Sequence, residues 1–329
     1  MTNNKIHILL LFSLALAGLL ALLTNAGIDT AAAAAARIED ENTIVDQGGR
    51  TLRIEQPFER IISLYGAHTE NLFSLGLDRE IIGVSRHETY PPPALHKPVF
   101  SYREDPEKFL AVRPDLVIIR PMIDRGYPQF VAMLEKNGVT VLSLQPANVA
   151  EMYQYWQILG FVSGRGQRAM QMVAEFKAAV AAFESLTAAR SNRKRVYFEA
   201  IHSKMKTFTP DSMAIFALET AGGINVAADA KSVRGTNIAY YGKERILSRS
   251  RQIDVYLAQA GAMNKPSVKR IADEPGFKTI KAVAEQQIYI VDEQIVSRPT
   301  LRLLEGIYFI GKTLYPEDFD DQALKILKK

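Results

Sequence analysis

The sequence contains no cysteine, only one tryptophan and no long basic run among its 329 residues. Without cysteine the chain forms no disulfide, has no thiol nucleophile and cannot carry the diacylglyceryl group of a bacterial lipoprotein. Its 40 Lys and Arg residues face 36 Asp and Glu residues, so the net charge of +4 gives little support to nucleic-acid binding. The composition, 47% hydrophobic and 23% charged, indicates a globular protein whose stability comes from buried cores.

The first 36 residues have the pattern of an export signal. Lys5 precedes an apolar run over 6–23, and small residues follow at 24–26 and 31–36. This order is typical of a secretory signal with its cleavage site. A retained membrane anchor is the alternative, because a run of about 18 apolar residues approaches the length of a membrane span. For an exported chain without disulfides we expect a location in the Gram-negative periplasm.

The sequence centres on a long amphipathic stretch over 167–190, which we call the spine helix. Its apolar residues recur at steps of three and four, namely Met170, Val173, Phe176, Val180, Phe183 and Leu186. The stretch holds no proline or glycine, and good helix formers dominate it. It predicts one helix of about 24 residues, or about 36 Å.

Strand and helix patterns alternate on both sides of the spine helix. Before it, short apolar strands at 60–64, 81–84, 115–119 and 139–144 are separated by helices, with a loop at 120–127. After it, strands at 195–200, 253–258 and 287–291 follow the same logic, with long loops at 201–210 and 233–242. Alternation of this kind predicts α/β lobes with parallel sheets, in which the loops at the carboxyl ends of the strands bind ligands.

The predicted organisation has five parts. They are a signal and alanine-rich region (1–36), a hairpin-like extension (37–58), an N-terminal α/β lobe (59–148), connecting helices that include the spine helix (149–191) and a C-terminal α/β lobe (192–329). The predicted fold class is therefore α/β, with two Rossmann-like lobes on central parallel sheets that are joined by one long helix.

Several segments in a fixed order carry a family resemblance. The strand at 60–64 with the helix at 69–76, the stretch PEKFLAVRPDLV at 106–117, AGGIN at 221–225 and PGFKTIKAV at 275–283 together resemble class III (cluster A) periplasmic solute-binding proteins. That family serves ABC importers of iron–siderophore complexes, cobalamin and haem. The similarity extends over nearly the whole mature chain.

The resemblance implies a ligand cleft between the lobes and one carboxylate on each lobe that docks onto arginines of the permease. Those carboxylates correspond here to Glu107 and Glu244. The chain has Gln252-Ile253-Asp254 where the family usually has Pro-Asp, so the second match is the poorer one. The alternative for both residues is an ordinary solvated glutamate at the start of a helix.

The loops that follow the predicted strands are rich in arginine, tyrosine and histidine. Arginine offers a rigid fork of donors for oxyanions, and aromatic faces suit a bulky ring-bearing ligand. The candidate ligand-binding residues are Tyr65, Arg86, His87, Tyr102, Arg103, Arg120, Tyr240 and Arg298. Alternatively, loop arginines pair with acids, such as Arg86 with Glu88 or Arg125 with Asp124. Of the adjacent Tyr240 and Tyr241, at most one is expected to face the cleft.

These features favour a periplasmic binding protein for an anionic metal chelate, either a ferric siderophore or a corrinoid such as cobalamin. Haem, bound through Tyr65 or His87, and a small oxyanion such as molybdate are alternatives, and a sensing or structural module of the same fold is a more distant one. The expected partners are an ABC permease and its ATPase, with no nucleic acid, and the chain is expected to be a monomer.

Catalysis is not expected, because the sequence lacks a zincin motif, a Gly-x-Ser-x-Gly motif and a phosphate-binding glycine loop. Neither a resident cofactor nor a metal site in the protein itself is predicted, since no cluster of metal-ligating residue types occurs at a suitable spacing.

Overall fold

The computed structural model describes residues 35–232 and 235–328. Most of the predicted signal region, residues 1–34, therefore lies outside the described residues. The described chain opens with a small antiparallel sheet of three strands, β1 (Arg37–Ile38), β2 (Thr43–Val45) and β3 (Thr51–Arg53). Arg50, in the turn between β2 and β3, forms an ion pair with Asp124, with 2.6 Å between Arg50 Nη2 and Asp124 Oδ1. This pair joins the small sheet to the rest of the chain.

The N-terminal lobe is built on a five-stranded parallel sheet with the order β6-β5-β4-β7-β8. The strands β4 and β7 are buried along their whole length, as is usual for a sheet covered on both faces. The five strands are β4 (Ile61–Ser63), β5 (Ile81–Ser85), β6 (Val99–Phe100), β7 (Leu116–Ile119) and β8 (Thr140–Ser143).

Helices connect these strands, and one of them contradicts the sequence prediction. They are α1 (Gly66–Ser74), α2 (Glu107–Ala111), α3 (Pro121–Gly126) and α4 (Pro128–Lys136). The segment 120–127 was predicted to be a loop, but α3 occupies most of it. Pro121 stands at its first turn, where the fixed φ of proline favours a helix and the missing N–H costs nothing.

Two helices, α5 (Val149–Val162) and α6 (Gly166–Thr187), lead from the N-terminal sheet to the C-terminal one. The spine helix is α6, whose 22 residues make it about 33 Å long. It ends three residues before the predicted Arg190. That side chain lies over the Tyr315 ring, 4.4 Å from its centre, and binds the carboxylates of Glu317 and Asp318.

The C-terminal sheet has seven strands in the described residues. They are β9 (Arg195–Ile201), β10 (Lys206–Phe208), β11 (Ile224–Asn225), β12 (Lys231–Ser232), β13 (Ile238–Tyr240), β14 (Val255–Ala260) and β15 (Ile288–Asp292). Its order is β12-β13-β10-β9-β14-β15, with β11 paired to β9. The strands β11, β14 and β15 extend β9 in parallel, whereas β10 pairs with β9 and β13 in antiparallel fashion.

The predicted strands of the C-terminal lobe, β9, β14 and β15, form a parallel sheet, and antiparallel strands that were not predicted extend it at one side. The segments 201–210 and 233–242 were predicted as loops, but they contain β10 and β13. The turn from β9 into β10 ends at Met205, which adopts a positive φ of 45°. Glycine or asparagine usually marks such a conformation, so the sequence carries no recognisable signal for this hairpin.

Seven α-helices are present in the described residues of the C-terminal lobe. They are α7 (Met213–Thr220), α8 (Lys243–Ser248), α9 (Val268–Ala272), α10 (Lys281–Ala284), α11 (Glu293–Val296), α12 (Leu303–Leu314) and α13 (Asp321–Leu324). Among the described residues, no helix has both the length and the apolar character needed to cross a membrane.

One hydrophobic core extends from the N-terminal sheet, through α5 and α6, to α7 and α12. Phe176 of the spine helix lies near its middle. Its ring is 5.4 Å from that of Trp156 on α5 and 6.3 Å from that of Phe216 on α7. Because close-packed side chains resist sliding past one another, this shared core joins the two lobes rigidly on the side of the spine helix.

Candidate functional site

The predicted ligand-binding residues of the N-terminal lobe lie at one edge of its sheet. All five strands run in the same direction, so their carboxyl ends meet there. Tyr65 follows β4, Arg86 and His87 follow β5, Tyr102 and Arg103 follow β6, and Arg120 follows β7. In the C-terminal lobe, Tyr240 ends β13 beside the carboxyl end of β9, and Arg298 follows β15 and α11.

Three of these residues, Tyr65, Arg120 and Arg298, come together between the lobes. The guanidinium carbon of Arg120 lies 4.5 Å from the centre of the Tyr65 ring. Arg298 reaches across from the other lobe to Gly66, where its Nη1 lies 2.5 Å from the position that a Cβ on Gly66 would take. In the described chain, Arg120 Nε and Arg298 Nη1 are buried and have no hydrogen-bond partner.

Tyr65 lies in the electrostatic field of both arginines. Burial raises the pKa of its phenol, and the positive charges of Arg120 and Arg298 act against that rise. The hydroxyl group is therefore protonated at neutral pH. An uncharged phenol beside two guanidinium groups forms a site for an anion, because both cations keep donors free for it.

Glu88 adds a buried carboxyl group to the same place. Its Oε1 accepts hydrogen bonds from Ser85 Oγ, at 2.5 Å, and from Thr69 Oγ1, at 3.3 Å. Its Oε2 has no partner among the described residues and lies 3.3 Å from the Cβ position of Gly66. Burial raises the pKa of Glu88, and its hydrogen bond from Ser85 and the charge of Arg298 oppose that rise.

Two alternative ion pairs considered from the sequence do not form. Arg86 pairs with Glu104, at 3.1 Å, and not with Glu88. The acid of α3, Asp124, pairs with Arg50 of the N-terminal turn. The partners that the structure provides lie 18 and 74 residues away in sequence, which local pairing rules cannot reach.

The remaining candidates make other contacts or are exposed to solvent. The Tyr102 ring packs against that of Tyr127, with 4.7 Å between the centres, and the Arg103 guanidinium carbon lies 5.6 Å from the Tyr102 ring centre. His87 is exposed. Tyr240 is 61% exposed, whereas its neighbour Tyr241 is 1% exposed and lies in the core, so only one of the pair is free to face a ligand.

His68 is a core residue. Its Nδ1 lies 2.7 Å from the Tyr155 hydroxyl, and its Nε2 lies 3.2 Å from the carbonyl oxygen of Ile119. Burial lowers its pKa to about 3, so the imidazole is neutral at any physiological pH. Its role is to fix the start of α1 next to Tyr65.

The segment that contains Arg298 connects the lobes beside this site. We call residues 297–302, between α11 and α12, the crossing segment. The carbonyl oxygen of Pro299 accepts hydrogen bonds from Asn71 Nδ2 on α1, at 2.9 Å, and from Trp156 Nε1 on α5, at 3.1 Å. These bonds hold Arg298 in place. Only Arg298 of this segment was a candidate from the sequence.

Gly66 and Glu88 were also missed as site residues. Gly66 is the first residue of α1 and lacks the Cβ that would occupy the place of the Arg298 guanidinium. A glycine that directly follows a strand-end tyrosine and begins a helix is the one signal that could have indicated this close approach. Glu88 gave no such signal, because its neighbours in the fold are remote in sequence.

The two predicted docking glutamates occupy equivalent places in the lobes. Glu107 is the first residue of α2, which follows β6, and Glu244 is the second residue of α8, which follows β13. Both side chains are exposed, and neither makes an ion pair within the described parts of the chain. Each therefore presents a free carboxylate at the edge of the sheet that also carries the arginines and tyrosines.

No group of three or more His, Asp and Glu side chains suited to a metal ion occurs in residues 35–232 and 235–328. A surface concavity of about 570 Å³ is lined by residues of the small N-terminal sheet and its β1–β2 turn, including Asp40, Glu41 and Arg53. None of the candidate ligand-binding residues lines it.

Two α/β lobes share one core, and between their strand ends they bring together a tyrosine and two arginines that each have a buried nitrogen without a hydrogen-bond partner in the described residues. This architecture is that of a two-lobed ligand-binding protein. The chain belongs to the periplasmic binding protein family, whose model matches residues 61–295. Proteins of this family are periplasmic or extracellular, bind a small ligand and work with the permease and ATPase components of ABC transporters.

Individual relatives agree with this family. The chain is 26% identical over 284 residues to the uncharacterized ABC transporter substrate-binding lipoprotein YvrC of Bacillus subtilis strain 168, with 85% of this chain and 87% of YvrC covered. It is 24% identical to the vitamin B12-binding protein of Vibrio cholerae, with 76% and 87% covered. The crystal structure of a possible iron-binding, periplasmic solute-binding protein from Staphylococcus epidermidis superposes with a TM-score of 0.69 at 26% identity, covering 79% and 100%.

Proposed function

We propose that this protein captures an anionic metal chelate, a ferric siderophore or a corrinoid, in the periplasm and delivers it to an ABC permease. The observation that carries the proposal is the meeting of Arg120 and Arg298 from opposite lobes beside Tyr65, each with a buried nitrogen that lacks a partner in the described chain. A buried donor left unpaired costs free energy, so an oxyanion that fills this place is bound favourably.

The side chains placed after the neighbouring strands favour a bulky ligand. Tyr102, Tyr127 and the exposed Tyr240 provide aromatic surface around the central arginines. Arg86, His87 and Arg103 are exposed at the rim, where they are available to outer parts of a large ligand. The relatives that bind vitamin B12 and the possible iron-binding protein support this class of ligand.

Haem and a small oxyanion are the second candidates. Haem would place a propionate at the arginines and a tyrosine or histidine near its iron, and Tyr65 lies beside Arg120 in a suitable place. An oxyanion such as molybdate would use the two guanidinium groups alone. Both share the anionic chemistry of the proposed ligand, so the arginine pair by itself does not separate them.

Delivery is assigned to Glu107 and Glu244. Exposed ion pairs contribute only about 0 to 1 kcal/mol each, so these carboxylates orient the protein on the permease more than they tighten its binding. We place the protein free in the periplasm after removal of its signal. YvrC is a lipoprotein, but this chain contains no cysteine to which a lipid could be attached.

The ligand class is tested with protein purified from the periplasm of its own host. Native mass spectrometry and visible absorption are expected to show a corrin or ferric-siderophore band. Thermal shift with a ferric catecholate, a ferric hydroxamate, cyanocobalamin, haem and molybdate then ranks the candidates. A colourless protein whose melting temperature rises with molybdate alone would overturn the chelate proposal, and a haem spectrum would favour the second candidate.

A second prediction concerns Gly66. In Gly66→Ala the added Cβ would lie 2.5 Å from Arg298 Nη1, so the guanidinium must move away. We expect the affinity for the identified ligand to fall by about tenfold or more, since one charge-assisted hydrogen bond is worth about 1.5 to 3 kcal/mol. The melting temperature should hold or rise, because alanine is the better helix former. Calorimetric titration and thermal unfolding measure the two effects.

Gly166→Ala is the matched control. Gly166 is likewise the first residue of a helix, but beyond its own helix backbone and chain neighbours nothing lies within 4 Å of its Cβ position. The Gly166→Ala variant should bind the ligand with the affinity of the wild type. Combining Gly66→Ala with Arg298→Gln should add little to either change alone, because both remove the same contact. Fully additive losses would show that Gly66 acts by another route.

A further inference from the structure

Glu70 is a buried carboxyl group that faces the crossing segment. It lies on α1 and is only 2% exposed, and neither of its oxygens has a hydrogen-bond partner in the described residues. The nearest cation is Arg302, whose Nη1 lies 3.8 Å from Glu70 Oε2. The adjacent residue Asn71 bonds the carbonyl oxygen of Pro299. Glu70 therefore lies at the contact through which the C-terminal lobe is held against α1.

A carboxyl group in this position is held close to the balance between its neutral and charged forms. Burial raises the pKa of Glu70 from 4.5 to about 7. The side chain of Thr300 and the positive charges of Arg302 and Arg298 oppose this rise, and the negative charge of Glu305 adds to it. The phenols of Tyr65 and Tyr155 are the other titratable groups that feel its charge. Removal of a carboxylate from water penalises the charged form unless a cation comes close enough to compensate.

We propose that Glu70 is a positioning residue for the ligand-binding cleft, whose charge sets how firmly the crossing segment and its Arg298 are held against the N-terminal lobe. Ionised Glu70 attracts Arg302 and Arg298 and draws the crossing segment onto α1. Neutral Glu70 leaves Nη1 of Arg298 free for an anionic ligand. By linkage, binding of an anion at Arg298 favours neutral Glu70 and is accompanied by uptake of a proton.

Trp156 offers a readout that needs no ligand. It is the only tryptophan of the chain, and its Nε1 donates to Pro299 O in the middle of the crossing segment. In ligand-free protein, we expect its fluorescence to titrate with a midpoint near pH 7. The isosteric variant Glu70→Gln should abolish this transition while keeping the fold, which thermal unfolding checks.

Glu305→Gln is the matched control. Glu305 also faces Arg302, at 3.3 Å, but it is exposed on α12. Glu305→Gln should keep a transition, moved to a somewhat lower pH because the negative charge of Glu305 adds to the rise in the pKa of Glu70. A flat wild-type titration, or a transition near pH 7 that survives in Glu70→Gln, would overturn the proposal. A transition lost equally in both variants would also count against it, because any change around Arg302 would then suffice.

The stability of the fold should follow the same group. The folded-state pKa of Glu70 is raised above its ordinary value of 4.5. The contribution of Glu70 to the stability of the fold is therefore complete below pH 4.5, which is its ordinary pKa, and is lost as the pH rises through about 7. Relative to Glu70→Gln, the wild type should lose melting temperature over that window. If the difference in melting temperature between the wild type and Glu70→Gln stays the same across this pH range, Glu70 does not titrate there as a buried group.

The effect on ligand rests on the proposed function and is measured separately. The affinity of the wild type for an anionic ferric catecholate should fall about three- to tenfold from about pH 6 to about pH 8, and that of Glu70→Gln should stay constant. A neutral ferric hydroxamate should show no such change. If neither of these siderophore chelates nor cyanocobalamin binds at any pH, the proposed chelate function fails, while the fluorescence titration still decides the role of Glu70.

Discussion

Loss of both central arginines, in the double variant Arg120→Gln/Arg298→Gln, is expected to weaken ligand binding by about a hundredfold or more. Each residue offers a buried donor without a protein partner in the described chain, and each hydrogen bond to a charged group is worth about 1.5 to 3 kcal/mol. A loss of about 1.4 kcal/mol is a factor of ten in affinity. The single variants should each lose about tenfold or more. Isothermal titration with the identified ligand measures these losses.

The control variant removes the same two charges from the opposite edges of the sheets. Arg113 and Arg251 are exposed and lie just before β7 and β14, at the amino ends of the strands. Arg113→Gln/Arg251→Gln should bind as the wild type does, which separates local contacts from net charge. If the central double variant keeps its affinity within about twofold, the site between the lobes is not the ligand site.

Reversal of charge at both docking residues should abolish uptake while leaving ligand affinity intact. In Glu107→Lys/Glu244→Lys, two carboxylates that we propose to meet cations of the permease become cations themselves, and like charges at an interface cost several kcal/mol. Both residues are exposed at helix starts, so the fold should tolerate the change. Uptake of labelled ligand by cells and affinity of the purified protein are the two measurements.

Glu59→Lys/Glu285→Lys makes the same change in net charge elsewhere. Both glutamates are exposed and precede strands, β4 and β15, so they lie at the edges away from the cleft. Uptake should continue in this variant. Uptake that persists in the Glu107 and Glu244 variant would reject those residues as the permease contacts. Uptake lost in both variants would attribute the effect to overall charge.

The structure adds a second constraint on the movement of the lobes. One rigid helix between two lobes already limits closure to a small change in angle. In addition, the shared core joins the lobes on the side of the spine helix, and the crossing segment bonds α1 and α5 beside the candidate ligand site. A cleft held at both places is largely preformed, which suits a bulky chelate. A closure of tens of degrees between free and bound forms would contradict this interpretation.

The main features of the fold follow from sequence patterns that act over short distances. The apolar spacing of Phe176, Val180 and Phe183 and the absence of glycine and proline predicted the spine helix to within a few residues. Alternation of apolar strands and helices predicted the parallel N-terminal sheet. The antiparallel strands β10 and β13 were not predicted, because the residue type of Met205 gives no sign that the turn there has a positive φ.

The residue types of the candidate site were also predicted, since Tyr65, Arg120 and Arg298 follow strands in sequence. The way in which these three side chains come together in space was not predicted. Arg298 is more than 200 residues from Gly66, and no local rule states that its guanidinium lies against that glycine. The ion pairs of Arg86 and Arg50, the burial of Glu70 and the double hydrogen bond to Pro299 arise from the same long-range packing.

By itself, the sequence determined the class of this protein: an α/β chain without disulfides, centred on one long helix, with arginines and tyrosines in the loops after its strands. Periodicity and turn residues are enough for that, because helices and strands form from neighbours in sequence. Only the tertiary structure decided which donors remain free, which acids are buried and where the lobes touch. Those properties depend on atoms brought together by packing, which residue order alone does not specify.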